Sequence, residues 1–140
     1  MSNPPTDLFV YGTLMEPRVV ERVLGRPFAR TAPAVLEGYR RFRVAGQAFP
    51  GIAPAAGCSV SGLLAQDLAE HIGALDLFEG PSYERRRVNV VCDQETHSCF
   101  AYVLGPPHLF TDAAWDLADF LANGDLERFL GDYHGFGGDG

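Results

Sequence analysis

The order of its apolar runs constrains this chain more than any other feature. Leu8-Phe9-Val10-Tyr11 is a short apolar and aromatic run broken by Gly12-Thr13, which reads as a buried strand. A helix follows. Pro17 suits a first helical turn, Val19, Val20, Val23 and Leu24 form one face, and Gly25 ends it. Residues 29–44 read as extended, with Val35, Leu36, Tyr39, Phe42 and Val44 as apolar positions and Gly38 as a bend or bulge. Residues 47–57 hold Pro50, Gly51, Pro54 and Gly57 and read as loop, and residues 59–66 read as a strand with Gly62 inside it. Asp67, with Glu70 three residues on, predicts a capped helix through His71, Ile72, Leu75 and Leu77 that stops at Gly80-Pro81. A strand over 83–92, a turn over 93–98 and a returning strand over 99–104 come next. Thr111 or Asp112 caps a last helix carrying Trp115, Leu117, Phe120 and Leu121, continued beyond Asn123-Gly124 by Leu126, Phe129 and Leu130. Six or seven short strands and three helices, without regular βαβ alternation, predict an α+β fold: a mixed sheet or small β-barrel with flanking helices.

At 140 residues the chain has the usual size of one domain, 1–140, with flexible ends expected over 1–7 and over the glycine-rich 134–140. The first helix is preceded by no G-x-G-x-x-G, and without lysine there is no phosphate-binding G-x-x-x-x-G-K-[ST] loop. Eighteen acidic residues face eleven basic ones, all arginine, for a net charge of -7. That balance argues against nucleic acid as partner, because phosphate contacts dominate such affinity. No apolar run approaches the ~20 residues of a membrane span. Residues 1–6 carry neither a basic segment nor an apolar one, so the expectation is a cytoplasmic protein with reduced thiols. Cys92 and Cys99 flank the polar turn, which leaves a disulfide across the hairpin open. His71, His97, His108 and His134 show no paired metal-ligand spacing, and no metal or cofactor is expected.

Two segments carry chemistry. The first is Tyr11-Gly12-Thr13-Leu14, between a strand and a helix. A glycine there lets successive backbone N–H groups turn toward one point, a nest that attracts a carboxylate or phosphate. The bland reading is an ordinary strand-to-helix turn. The second is Leu75-Asp76-Leu77-Phe78-Glu79-Gly80, followed by Tyr83 and Arg85. Leu68, Ile72 and Leu75 lie on one helical stripe, and at about 100° per residue Glu79 falls on the same inward face. Partial burial and a helix C-terminus both push a carboxyl group's pKa upward, toward a useful general base. The bland reading makes Glu79 a solvated charge or a partner of Arg85 or Arg87. Asp76 is read as structural, a cap or a pair for an arginine. Within Arg85-Arg86-Arg87 neighbours alternate faces, giving a solvated, ion-paired surface. Cys58 follows a glycine-rich loop as an unsupported nucleophile candidate. Trp115 and Phe120 read as core or interface, and Tyr133, His134 and Phe136 as part of the flexible tail in preference to a cover over a pocket mouth.

YGTL after the first strand, together with LDxFEGxxYxR far downstream, resembles the γ-glutamylcyclotransferase-like family, which includes γ-glutamylamine cyclotransferases and avirulence-induced-gene-like proteins. Phe49-Pro50-Gly51-Ile52 and the strand with Ala101-Tyr102-Val103 also look like family segments, so the resemblance covers residues 8–104. It implies a small mixed β-barrel with flanking helices and a cofactor-independent intramolecular acyl transfer. In that reaction the α-amine of a γ-glutamyl group attacks its own γ-carbonyl, giving 5-oxoproline and a released amine or amino acid. The family's carboxylate-binding loop maps onto the backbone N–H groups of Tyr11, Gly12, Thr13 and Leu14, and its catalytic glutamate onto Glu79. Tyr83 is a wall or hydrogen-bond donor of the pocket. The implied partner is a small γ-glutamyl molecule. The rival readings are a non-catalytic module of the same fold that binds a small carboxylate or a protein, and a cysteine-dependent acyltransferase or hydrolase.

Overall fold

The first apolar run forms strand β1 (Leu8–Val10), buried on both faces. Side chains alternate along a strand. Leu8 and Val10 therefore turn to a cluster with Val19, Val20, Val23 and Leu75, while Phe9 joins Leu36, Ile52, Leu64, Val90 and Ala101 in a second one. The computed structural model describes residues 6–43, 50–68, 70–79, 83–104 and 117–122, with Thr13, Phe78, Glu79 and Phe120 among those described by backbone alone. In it β1 has a neighbour on each edge. β3 (Pro50–Ala65) runs antiparallel to it with Leu63 opposite Val10, and β5 (Glu95–Leu104) runs parallel with Phe100 opposite Leu8. With β2 (Thr31–Arg43) and β4 (Tyr83–Cys92) the strands close into a barrel in the order β1-β3-β2-β4-β5. The second cluster fills its interior. The first lies between its wall and helices α1 (Pro17–Leu24) and α2 (Ile72–Glu79), with Leu121 of the short α3 (Leu117–Ala122) packed against it. Each fully buried side chain such as Leu75 or Val90 contributes about 1.5–3 kcal/mol by leaving water.

The α+β barrel with flanking helices is as expected, and among the described residues five strands build it, close to the six or seven expected. β2 and β3 are long and bend without ending. Their pairing runs from Thr31↔Ala65 to Glu37↔Ser59, then resumes at Tyr39↔Pro54 and ends at Arg43↔Pro50. Gly38 takes a φ of 82° at that irregularity, a left-handed conformation that side chains disfavour. The expected loop over 47–57 is thus corrected: from Pro50 onward it is strand. Proline is tolerated there because Pro50 begins the strand and Pro54 borders the bulge.

α1 forms as its sequence suggests. Pro17 opens it, the Glu16 carboxylate accepts from the Arg18 N–H, and Gly25 closes it in the left-handed conformation. Asp67 does not cap α2. Its φ is 64°, whereas a cap residue is extended, and its N–H donates to Asp7 Oδ1 at 3.0 Å. The helix begins later, at Ile72, yet Leu68 and Leu75 are still buried and Ile72 packs beside them. The polar stretch 93–98 is a turn only at Asp93 and Gln94, whose positive φ values (53° and 67°) suit a two-residue hairpin. β5 starts at Glu95, opposite Cys92, so Cys99 lies opposite Val88. The two cysteines do not face each other, and both are free and buried. The expected cap at Thr111 or Asp112, Trp115, the helix stop at Gly80-Pro81 and everything from 123 onward lie outside the described residues.

Candidate functional site

Beyond β1 the chain leaves the sheet. Tyr11 keeps the strand's alternation, so its ring goes into the barrel interior and its hydroxyl donates to the Tyr102 carbonyl. Its backbone starts a tight turn, in which a single 3₁₀ turn (Thr13–Met15) is closed by the Met15 N–H donating to the Gly12 carbonyl at 2.9 Å. Leu14 sends its side chain to the helix-side cluster, leaving only its backbone to the turn. A Cβ on Gly12 would lie 2.7 Å from Pro50 Cγ and 2.9 Å from Pro50 Cδ, so only glycine lets this backbone pass the proline ring. Among the described residues, the Gly12 N–H makes no hydrogen bond.

Two side chains fasten this corner. Tyr83, the first residue of β4, donates its hydroxyl to the Pro50 carbonyl at 2.6 Å. Arg41 of β2 donates from Nη1 to the Tyr11 carbonyl at 2.6 Å and to the Ser61 carbonyl at 3.3 Å. Tyr83, expected as a wall or hydrogen-bond donor of the pocket, commits its hydroxyl to the Pro50 carbonyl and so lies one residue's contact from the turn. Arg41 was not expected. Its contact with Tyr11 spans 30 residues and follows from strand pairing, not from any local spacing.

Glu79 is the last residue of α2, four positions before Tyr83. One turn earlier, Asp76 ties the helix to the barrel. Its Oδ1 accepts from the Tyr102 hydroxyl at 2.7 Å, and its Oδ2 lies 3.1 Å from Arg85 Nη1. Arg85 also lies over the Phe100 ring, 4.5 Å from its centroid. The reading of Asp76 as an arginine's pair holds. The Arg85 nitrogen is buried and its geometry toward Asp76 is that of an ion pair without an aligned hydrogen bond.

Other candidates fall into place around this corner. Burial pushes the Cys99 thiol up to about 12 and raises that of Cys92, so neither is a thiolate nucleophile at neutral pH. Cys58 is exposed beside the β2–β3 irregularity. No group of three or more His, Cys, Asp or Glu side chains gathers in a metal-binding arrangement among the described residues. Nor is any helix among them long and apolar enough to cross a membrane. A cleft of about 110 Å³ behind the turn is lined by Leu14, Met15, Val20 and Phe28 among others, none of them titratable, so it offers no proton acceptor.

A family model described as "Gamma-glutamyl cyclotransferase, AIG2-like" matches residues 8–119. AIG2-like protein C of Arabidopsis thaliana is 40% identical over 86 residues, 61% of this chain and 49% of that protein. The chain spans about half the length of the curated relatives it matches. A solution structure of an Arabidopsis thaliana protein, 29% identical, superposes with a TM-score of 0.68 over 93% of this chain and 80% of its own. A solved gamma-glutamyl cyclotransferase superposes with a TM-score of 0.60 over 96% of this chain and 91% of its own, a likeness of fold at 15% identity. A match that runs from β1 into α3 takes in every strand of the barrel, and by it the chain belongs to the AIG2-like gamma-glutamyl cyclotransferase family.

Proposed function

We propose that this chain is a γ-glutamylcyclotransferase-type enzyme that converts a γ-glutamyl amine or amino acid into 5-oxoproline and the free amine. The observation that carries the reading is the Gly12 turn: a backbone N–H with no hydrogen bond among the described residues, against Pro50, with Tyr83 fastened to the same proline. In this reading the turn's N–H groups hold the substrate's α-carboxylate, which answers how a chain of net charge -7 without lysine attracts an anion.

The reaction needs few groups because nucleophile and electrophile belong to one molecule. Holding the substrate folded, with amine and carbonyl in contact, supplies much of the acceleration. Glu79 takes a proton from the α-ammonium. The freed nitrogen attacks the γ-carbonyl carbon, forming the ring C–N bond and a tetrahedral oxyanion. As the oxyanion collapses, the original γ C–N bond breaks. The departing nitrogen receives its proton by way of Glu79, which the ring nitrogen's second proton recharges.

The test is a panel of γ-glutamyl amines and γ-glutamyl amino acids, assayed for 5-oxoproline. Release from at least one member is expected, unaffected by thiol alkylation. Binding across the panel without any release identifies a carboxylate-binding module instead. Loss of turnover on alkylating the exposed Cys58 moves the chemistry to a thiol.

A further inference from the structure

The bond from Arg41 to the Tyr11 carbonyl has a geometric consequence. That carbonyl and the Gly12 N–H belong to one peptide unit. Peptide units are planar, and in the trans form, the only one among the described residues, C=O and N–H point in opposite directions. A guanidinium holding the oxygen at 2.6 Å therefore fixes where the hydrogen points: away from Arg41. The same contact is charge-assisted and polarises the amide, making its N–H a stronger donor. The peptide is restrained on its other side too, since Gly12 lies against the Pro50 ring and Tyr83 holds the Pro50 carbonyl.

Arg41 is well placed to be stiff. It sits in β2 opposite Ile52, which is fully buried, and it also reaches the Ser61 carbonyl on β3. Both bonds leave one nitrogen, Nη1, which the planar guanidinium holds in a fixed orientation, whereas an ammonium is a point charge on a flexible stem.

We propose that Arg41 is a positioning residue for the carboxylate-binding turn: by gripping the Tyr11 carbonyl it sets the direction and strength of the Gly12 N–H toward the substrate's α-carboxylate. The inference rests on the reading of that turn given above, and it concerns binding more than proton transfer.

The test combines kinetics with a direct probe of the amide. In protein labelled with ¹⁵N-glycine, 5-oxoproline, which keeps the α-carboxylate, is titrated while the Gly12 amide resonance is followed. The wild type is expected to shift that resonance. Arg41→Met is expected to weaken 5-oxoproline binding and raise KM at least about tenfold while lowering kcat less than about threefold. Arg41→Lys keeps the charge but not the planar guanidinium or its reach, so it falls between the two and carries the test if Arg41→Met does not fold. Equal binding by wild type and Arg41→Met overturns the inference, as does a Gly12 resonance that never responds in the wild type. A parallel fall in kcat and in affinity for 5-oxoproline points to general disruption and also overturns it. If Gly12 responds and depends on Arg41 but no γ-glutamyl compound yields 5-oxoproline, the catalytic reading fails and the role of Arg41 stands.

Discussion

The two segments that the proposed chemistry needs are held to the barrel by different kinds of bond. The Tyr11–Leu14 turn is fastened through neutral backbone oxygens: Arg41 to the Tyr11 carbonyl, the Tyr11 hydroxyl to the Tyr102 carbonyl, and Tyr83 to the Pro50 carbonyl. α2 is fastened through a carboxylate, Asp76, that faces Tyr102 and Arg85. Carbonyl oxygens do not titrate. The Asp76–Arg85 pair is 43% and 30% exposed, so salt screens it. Added salt should therefore weaken the seat of α2, an ion pair, more than that of the turn, whose bonds end on uncharged oxygens. Tyr102 joins the two, with its backbone oxygen serving the turn and its hydroxyl serving the helix.

Breaking the two sides separately gives a graded set of outcomes. The largest is expected from Glu79→Gln, which keeps size but removes the proton acceptor. Turnover should fall by at least ~10²-fold while 5-oxoproline affinity changes little. Were affinity to fall in step, the turn and the end of α2 would not be separable. Gly12→Ala strikes the turn, because its new methyl meets Pro50 at 2.7 Å. A loss of about 1–3 kcal/mol in urea unfolding is expected, with KM rising more than kcat falls. A variant as stable as the wild type would mean that Pro50 yields freely.

Asp76→Asn strikes the helix seat alone, since the amide still accepts from Tyr102 but the ion pair with Arg85 is gone. A destabilisation of about 1 kcal/mol or less is expected at low salt, vanishing near 1 M. Persistence of the full difference at high salt would show the pair to be desolvated and the two seats to respond to salt alike. The smallest effect at neutral pH belongs to Cys99. Its thiol titrates near 9.0 when unfolded and at about 12 when folded, so between those values the native state holds the extra proton. Stability should fall as pH rises from 9 to 12, and fall less steeply in Cys99→Ala. A thermal unfolding series across that range reads both slopes.

What is legible in the sequence depends on how far its cause reaches. β1, α1 between Pro17 and Gly25, and β4 over 83–92 rest on signals within a few residues, and they stand where the pattern puts them. The start of β3 does not. Pro50, Gly51 and Pro54 favour loop locally, and it is pairing with residues 39–43 of β2 that makes them strand. Asp67 carries the chemistry of a helix cap but is drawn into a left-handed turn whose N–H serves Asp7, 60 residues away. The site divides likewise. The glycine of the Tyr11–Leu14 turn and the packing of Leu68, Ile72 and Leu75 are readable from spacing. Pro50 as the common neighbour and Arg41 as the clamp are not, because contacts 33 and 30 residues apart leave no periodic trace.

The parallel pairing of Leu8 with Phe100 and the hydroxyl bond from Tyr11 to Tyr102, 91 residues on, have a consequence for biogenesis. β1 is synthesised before the other described strands, yet one of its two edges waits for β5, the last of them. Until β5 emerges, Leu8-Phe9-Val10-Tyr11 has an unpaired edge and apolar side chains still seeking cover, the combination that favours association between nascent chains. The Tyr11 hydroxyl lacks its acceptor in that interval, so the Gly12 turn then rests on Arg41, Pro50 and Tyr83 without its anchor in β5. Barrel closure and the appearance of binding competence should therefore be a single late event in folding, slow as long-range pairing is slow.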